Sequence, residues 1–196
     1  GSKLNSYLFA MAYREGNQSI RYVHFNGHEV SQQAWWGIPM VKWRGDQAGV
    51  EAYILNNYLD NDAADHLRES GNTTYNHYRY PNEIDNYRQS HHQLIATMAL
   101  DNDWTLNMTN YLVTGKGYFE QWKANQDYAA YGLANPIVES NAVTSTNLVR
   151  QRWLDNLSVG TNISLSKQVG DWKTVMGYAG QGFIGEHYGT LPWMAI

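Results

Sequence analysis

The chain has 196 residues, a net charge of −4 and no cysteine. The length suits one domain, expected over 1–196, with a sizeable core. The missing thiols exclude disulfide frameworks, zinc fingers, iron–sulfur centres and cysteine nucleophiles, and the acidic balance argues against a nucleic-acid partner. No run of eighteen apolar residues exists, so no transmembrane helix is expected. Gly1-Ser2 reads as a cloning remnant. Aromatic residues make up 14%, with 15 Tyr and 8 Trp against 4 Phe, while charged residues are only 16%. Amphipathic rings with low charge suit a barrel wall at a wet–dry boundary, or a carbohydrate-type binding surface.

Period-two alternation predicts long strands. Tyr7, Phe9, Met11 and Tyr13 alternate with Leu8, Ala10 and Ala12 over 4–14, and Val23 and Phe25 alternate with His24 and Asn26 over 18–30. The turn Glu15-Gly16-Asn17-Gln18 joins these two segments in a hairpin. A connection over 31–85 follows. In it Val50, Tyr53, Ile54 and Tyr58 fall at helical spacing, and a second short helix is predicted from Asp60 or Asn61 through Arg68. The apolar cluster Trp35-Trp36-Gly37-Ile38-Pro39 precedes them. The segments 86–100 and 104–122 meet at Asp101-Asn102-Asp103. If extended throughout, the second spans roughly 60 Å at about 3.3 Å per residue, far beyond an ordinary globular strand. A second long connection covers 123–147. Over 147–167, Leu157, Val159, Ile163 and Leu165 share one face with Thr161, and Asn156, Ser158, Gly160, Asn162, Ser164 and Ser166 take the other. The turn Val169-Gly170-Asp171 leads into 172–193, whose scattered glycines predict bulges or tight curvature.

The fold class expected is therefore all-β. It is an antiparallel up-and-down β-barrel or barrel wall of about six long strands in three hairpins, with short helices in the first long loop. Short turns at one end and long loops at the other are the organisation of an outer-membrane barrel.

Few residues point to chemistry. Adjacent strand residues His91 and His92 point to opposite faces and cannot chelate one ion, and His24 and His28 share a face about 13 Å apart; no metal site and no cofactor are expected. No GxSxG, HExxH, P-loop or GxGxxG motif occurs. Carboxylates such as Glu83, Asp85 and Glu186 read as solvated loop charges rather than a glycosidase pair. No catalysis is expected. Where the second long loop becomes a strand, alternation sends Arg150, Arg152 and Leu154 to one face and Gln151, Trp153 and Asp155 to the other. This reads as a rim ladder with a girdle Trp, or as a ligand-facing Arg pair. The candidate ligand-binding residues are Trp35, Trp36, Arg150, Arg152 and Trp153.

Several stretches, in order along nearly the whole chain, resemble TonB-dependent outer-membrane receptors of the Bacteroidetes type: QAWWGIP at 33–39, IDNYRQSHHQL at 84–94, GKGYFEQWK at 115–123, Tyr131-Gly132-Leu133, NLVRQRWLDN at 147–156 and GEHYG at 185–189. The resemblance implies the outer membrane, a 22-stranded barrel with a plug domain and a TonB box, and uptake of siderophores, metal complexes, cobalamin or glycans. About six strands without plug or TonB box fall short of an energised transporter. The expectation is a fragment or derivative of such a barrel that recognises or passes a small solute such as a siderophore or glycan. Its partners would be the lipid bilayer and other barrel-forming chains or copies of itself, closing the two edges of the sheet. The competing expectation is a soluble or engineered β-protein that binds a ligand or partner through its long aromatic loops.

Overall fold

The computed structural model describes residues 1–195, apart from the Asn102 side chain. The chain divides into two compact units, one comprising 1–31 with 84–196 and the other 32–83.

The first unit is a six-stranded antiparallel sheet built from β1 (Ser2–Glu15), β2 (Gln18–Gln32), β3 (Ile84–Ala99), β4 (Trp104–Asp127), β7 (Ser145–Val169) and β8 (Trp172–Met194), paired in that order. All six expected strands are present, in three hairpins. The sheet is open, with β1 and β8 as its edges. A small hairpin of β5 (Ile137–Val138) and β6 (Asn141–Ala142) lies between β4 and β7.

The turns follow from local backbone chemistry. Gly16 (φ 54°) and Gly170 (φ 57°) open two-residue turns in the left-handed region, where a side chain is penalised and glycine is not. The middle hairpin instead closes through a 3₁₀ turn, with the Leu100 amide donating to the Trp104 carbonyl at 2.8 Å.

The long strands are continuous, as their alternation predicts. β4 passes Gly115 and Gly117 without a register shift and continues to Asp127. Its one irregularity falls between Lys123 and Gln126, where Asn125 turns left-handed (φ 49°) and its amide finds Asn147 Oδ1 at 3.0 Å. Of the bulges or tight curvature expected at the glycines of β8, bulging is confined to one place. The β7–β8 ladder shifts once, between Val149 and Gln151. Glycines in β4 and β7 make room for rings instead: a Cβ on Gly160 would lie 2.2 Å from the Tyr111 ring, and one on Gly117 would lie 2.1 Å from the Asn86 carbonyl oxygen beside Tyr87.

The second unit turns the first long connection into a small helical body. α1 (Met40–Trp43), α2 (Gln47–Asn56) and α3 (Asn61–Glu69) bury Val50, Ile54, Ala64 and Leu67 together, with Val41, Tyr53, Leu59 and Tyr75 packed around them. Asp46 and Asp60 cap α2 and α3, accepting from the amides of Gly49 and Ala63. Buried Lys42 donates to the Arg68 carbonyl at 2.9 Å. Gln33 N–H to the Glu83 carbonyl (2.8 Å) ties the two ends of this body together.

Candidate functional site: the two faces of the sheet

Residues directly opposite in an antiparallel ladder project to the same side, so the register sorts every strand residue to one of two faces. One face carries Leu94, Ala96 and Met98 of β3, Leu106, Met108 and Leu112 of β4, Leu157, Val159, Ile163 and Leu165 of β7, and Met176, Tyr178 and Ile184 of β8. Tyr7, Phe9, Met11 and Tyr13 of β1 pair onto β2 on one side of that hairpin, opposite Asn26, His24, Tyr22 and Ile20. Tyr22 and His24 meet His92, which puts these residues on the same face.

The apolar band has defined limits. At the short-turn end Trp104 sits opposite Lys167, with the ammonium 5.6 Å from the indole centroid. At the long-loop end Arg88, Lys116, Asp155 and Glu186 form one cross-strand row in which Lys116 and Asp155 pair at 2.6 Å. Just beyond it Tyr118, Trp153 and Tyr188 form a continuous aromatic ladder, with Trp153 and Tyr188 stacked at 5.9 Å and 4°. Trp122 stacks on Trp193 two rows further (5.5 Å). From Trp104 to Lys116 the strand covers about 40 Å at ~3.3 Å per residue. At the ~45° tilt of a membrane-crossing strand this projects to about 28 Å.

The opposite face is polar over β3, β4 and β7. It carries Gln89, His91 and Gln93, then Asn107, Thr109 and Tyr111, then Asn156, Ser158, Asn162 and Ser164. Cross-strand polar bonds knit it together: Thr97 to Asn107 (3.0 Å) and Tyr111 to Gln181 (3.2 Å). His91 stacks flat on Phe25 at 4.0 Å. On β1 and β2 the division weakens, because Leu8, Ala10, Val23 and Phe25 lie on this side too.

Arg150 and Arg152 stand at the long-loop end of the polar face, opposite Gln121 and Phe119. The Arg150 guanidinium donates to Gln121 Oε1 through Nε (3.0 Å) and Nη2 (2.8 Å) and reaches the Tyr131 hydroxyl at 3.4 Å. Arg152 lies over the Phe119 ring, 5.7 Å from its centroid. Among the described residues neither is in an ion pair. A concavity of about 400 Å³ is lined by Tyr131, Arg150, Gln151, Arg152, Thr190 and Leu191, among others. The register shift between Val149 and Gln151 falls beside it. Two guanidiniums two residues apart on one strand, held by neutral partners, can bind a carboxylate, phosphate or other oxyanion in fork geometry.

Comparison with family models, curated proteins and solved structures gave no match.

The expected site residues therefore separate. Arg150 and Arg152 come together on the polar face. Trp153 projects to the opposite side, where its indole N–H reaches Gln151 Oε1 and Thr190 Oγ1, both at 3.2 Å, between Tyr118 and Tyr188. Trp35 and Trp36 belong to the helical unit, where they contact Tyr78 and His77 edge-on or tilted and remain 56% and 71% exposed. The residues that sequence reasoning missed at the Arg pair are Gln121, Phe119 and Tyr131. Their involvement comes from the β4–β7 register and from the 3₁₀ turn at Tyr128–Tyr131, which no local pattern encodes.

Proposed function

We propose that the chain is a section of wall from a solute-recognising outer-membrane β-barrel of the TonB-dependent receptor type. Its apolar face would meet lipid, its polar face the solute path, and it would have no catalytic role. The observation that carries this reading is the apolar band, because its aromatic and charged borders lie about a bilayer's hydrocarbon thickness apart. A soluble sheet has no reason to set such limits on one face. Arg150 and Arg152 are the proposed contacts for an anionic small solute such as a siderophore. The edges also suit this reading. β1 runs toward the short turns and β8 away from them, so strands of another barrel-forming chain, or of a further copy, can add at either edge and continue the up-and-down order.

The test is fractionation followed by refolding. The reading expects the chain in the membrane fraction, a requirement for detergent, and a heat-modifiable gel shift. Monodisperse protein recovered without detergent would sink it. In lipid, replacing both Arg150 and Arg152 with Ala should abolish binding of an anionic siderophore while leaving the gel shift intact. Unchanged binding would remove the Arg pair from the site.

A second reading has its own support. The helical unit has a self-contained core and exposes Trp35, Trp36, Met40 and Trp43, which suits a loop that binds a ligand or partner in water. The same fractionation decides between the two.

A further inference from the structure

Polar residues interrupt the apolar face: Asn110 and Thr161 lie opposite each other between the Met108 and Leu112 rows, and His92 stands in the next row. At the level where β4, β7 and β8 present Leu112, Val159 and Gly182, β3 presents His92, and β2 brings Tyr22 and His24 against it. His24 Nδ1 and His92 Nδ1 lie 3.1 Å apart, and the Tyr22 hydroxyl lies 2.7 Å from the same His92 nitrogen. The remaining ring nitrogens also have partners, His24 Nε2 with the Tyr7 hydroxyl at 3.2 Å and His92 Nε2 with Ser90 Oγ at 3.5 Å.

A neutral imidazole carries one proton. When each Nε2–H donates to its hydroxyl neighbour, both Nδ1 atoms present lone pairs to each other across 3.1 Å. In that tautomer the two lone pairs and the Tyr22 oxygen converge, and a metal ion can take the place of the hydroxyl hydrogen that otherwise lies between Tyr22 and His92. Two nitrogens at ordinary metal–imidazole distances of about 2.0–2.1 Å, separated by 3.1 Å, subtend an angle of about 98° at the metal. That value falls between square-planar and tetrahedral geometry. A ligating histidine is oriented by a hydrogen bond from its far ring nitrogen, a role open here to the Tyr7 and Ser90 hydroxyls. Among the described residues no cluster of three or more His, Cys, Asp or Glu is placed to hold an ion; here the third donor is a phenol. The geometry points to a divalent transition-metal site formed by His24, His92 and the Tyr22 oxygen, with Tyr7 and Ser90 orienting the rings. Coordination would release the Tyr22 phenolic proton to solvent and leave the remaining positions to water. Imidazole and phenolate donors with no thiolate suit Cu(II) best in the general affinity order. The expectation that adjacent His91 and His92 cannot chelate together holds, since His91 stacks on Phe25 on the other face. The converging pair is instead His24 with His92, on neighbouring strands. The site lies in the row of Leu112 and Val159, on the face that the wall reading gives to lipid, so this inference rests on the second reading, in which the sheet meets water.

The test is titration of the folded full chain with Cu(II), followed by calorimetry and electron paramagnetic resonance. The expected result is one tight ion per chain with two coordinated imidazole nitrogens and a phenolate charge-transfer absorption. His24→Gln and His92→Gln should each weaken binding at least about tenfold and leave a single imidazole on the ion. Tyr22→Phe should weaken it less and remove the charge-transfer absorption. His28→Gln, at a residue that instead bonds Asn86 at 2.9 Å, should leave both unchanged and controls for folding. Wild-type affinity in the His24→Gln/His92→Gln double variant would overturn the proposal. So would a wild-type chain that binds no copper, which would mean that only the hydroxyl hydrogen lies between Tyr22 and His92.

Discussion

Val159→Lys discriminates most sharply between a face made for lipid and one made for water. Val159 lies opposite Leu112 and Gly182 on the apolar face and is 43% exposed in the sheet. Along β7 it falls between Lys167 and Asp155, the residues in the two bordering rows. At ~3.3 Å per residue and ~45° tilt, those rows lie about 14 Å to either side of the band's middle, and Val159 sits only about 5 Å from it. Lysine close to the midplane of a barrel wall costs about 2–4 kcal/mol, less as it nears an interface. At this depth about 2–3 kcal/mol is expected, a factor of about 30–150 in the folded-to-unfolded ratio. The internal control is Ser158→Lys, one residue away on the polar face, expected within about 0.5 kcal/mol of wild type. Both variants would be refolded into lipid vesicles and unfolded in denaturant, with tryptophan fluorescence as the readout. In water a half-exposed valine gives way to lysine at little cost, so two variants within about 0.5 kcal/mol of each other would refute the assignment of this face to lipid.

Gly117→Ala tests the close packing of β4 on β3. Its Cβ would meet backbone at 2.1 Å rather than a movable side-chain tip, so a loss of at least about 1–3 kcal/mol is expected by denaturant unfolding. Leu67 is fully buried in the helical unit. Leu67→Ala should cost that unit about 2–5 kcal/mol, seen as earlier loss of helical circular dichroism while the strand signal persists. The helical unit should also weaken in acid. Hydrogen bonding to Arg68 holds the Glu51 carboxyl below its ordinary value of 4.5, and Arg79 does the same for Asp62 from 3.8. Groups with depressed folded values stabilise fully above their unfolded values, and that support is lost as pH falls through the folded ones. Helix melting followed from pH 6 to pH 3 should therefore drop mainly below about pH 4.5, and Arg68→Gln should flatten the drop.

How much of this was legible in the sequence depends on how far apart the interacting residues are. Alternation at Leu157, Val159, Ile163 and Leu165 fixed the faces of β7 because side chains on a strand repeat every two residues, and that rule is local. The helices around Val50 and Ala64 were legible for the same reason, through periodicity and the capping Asp60. Glycine misled. In β8 it suggested bulges or tight curvature, yet the ladder to β7 runs through Gly177, Gly180, Gly182 and Gly185 in unbroken register. At Gly160 and Gly117 the missing side chain instead clears space for Tyr111 and for the β3 backbone. Everything that depends on register between strands was invisible, including the Arg150–Gln121 contact, the Tyr118–Trp153–Tyr188 ladder and the convergence of His24 on His92. Register is fixed jointly by the turns and by which face must be apolar, so it appears only once the whole sheet is assembled. The same dependence explains why the two proposals have different reach. The membrane reading rests on a pattern spread over four strands and survives the loss of any one residue. The metal site rests on the register of a single strand pair, and a two-residue slip of β2 against β3 would keep every side chain on its face yet carry His24 about 7 Å from His92.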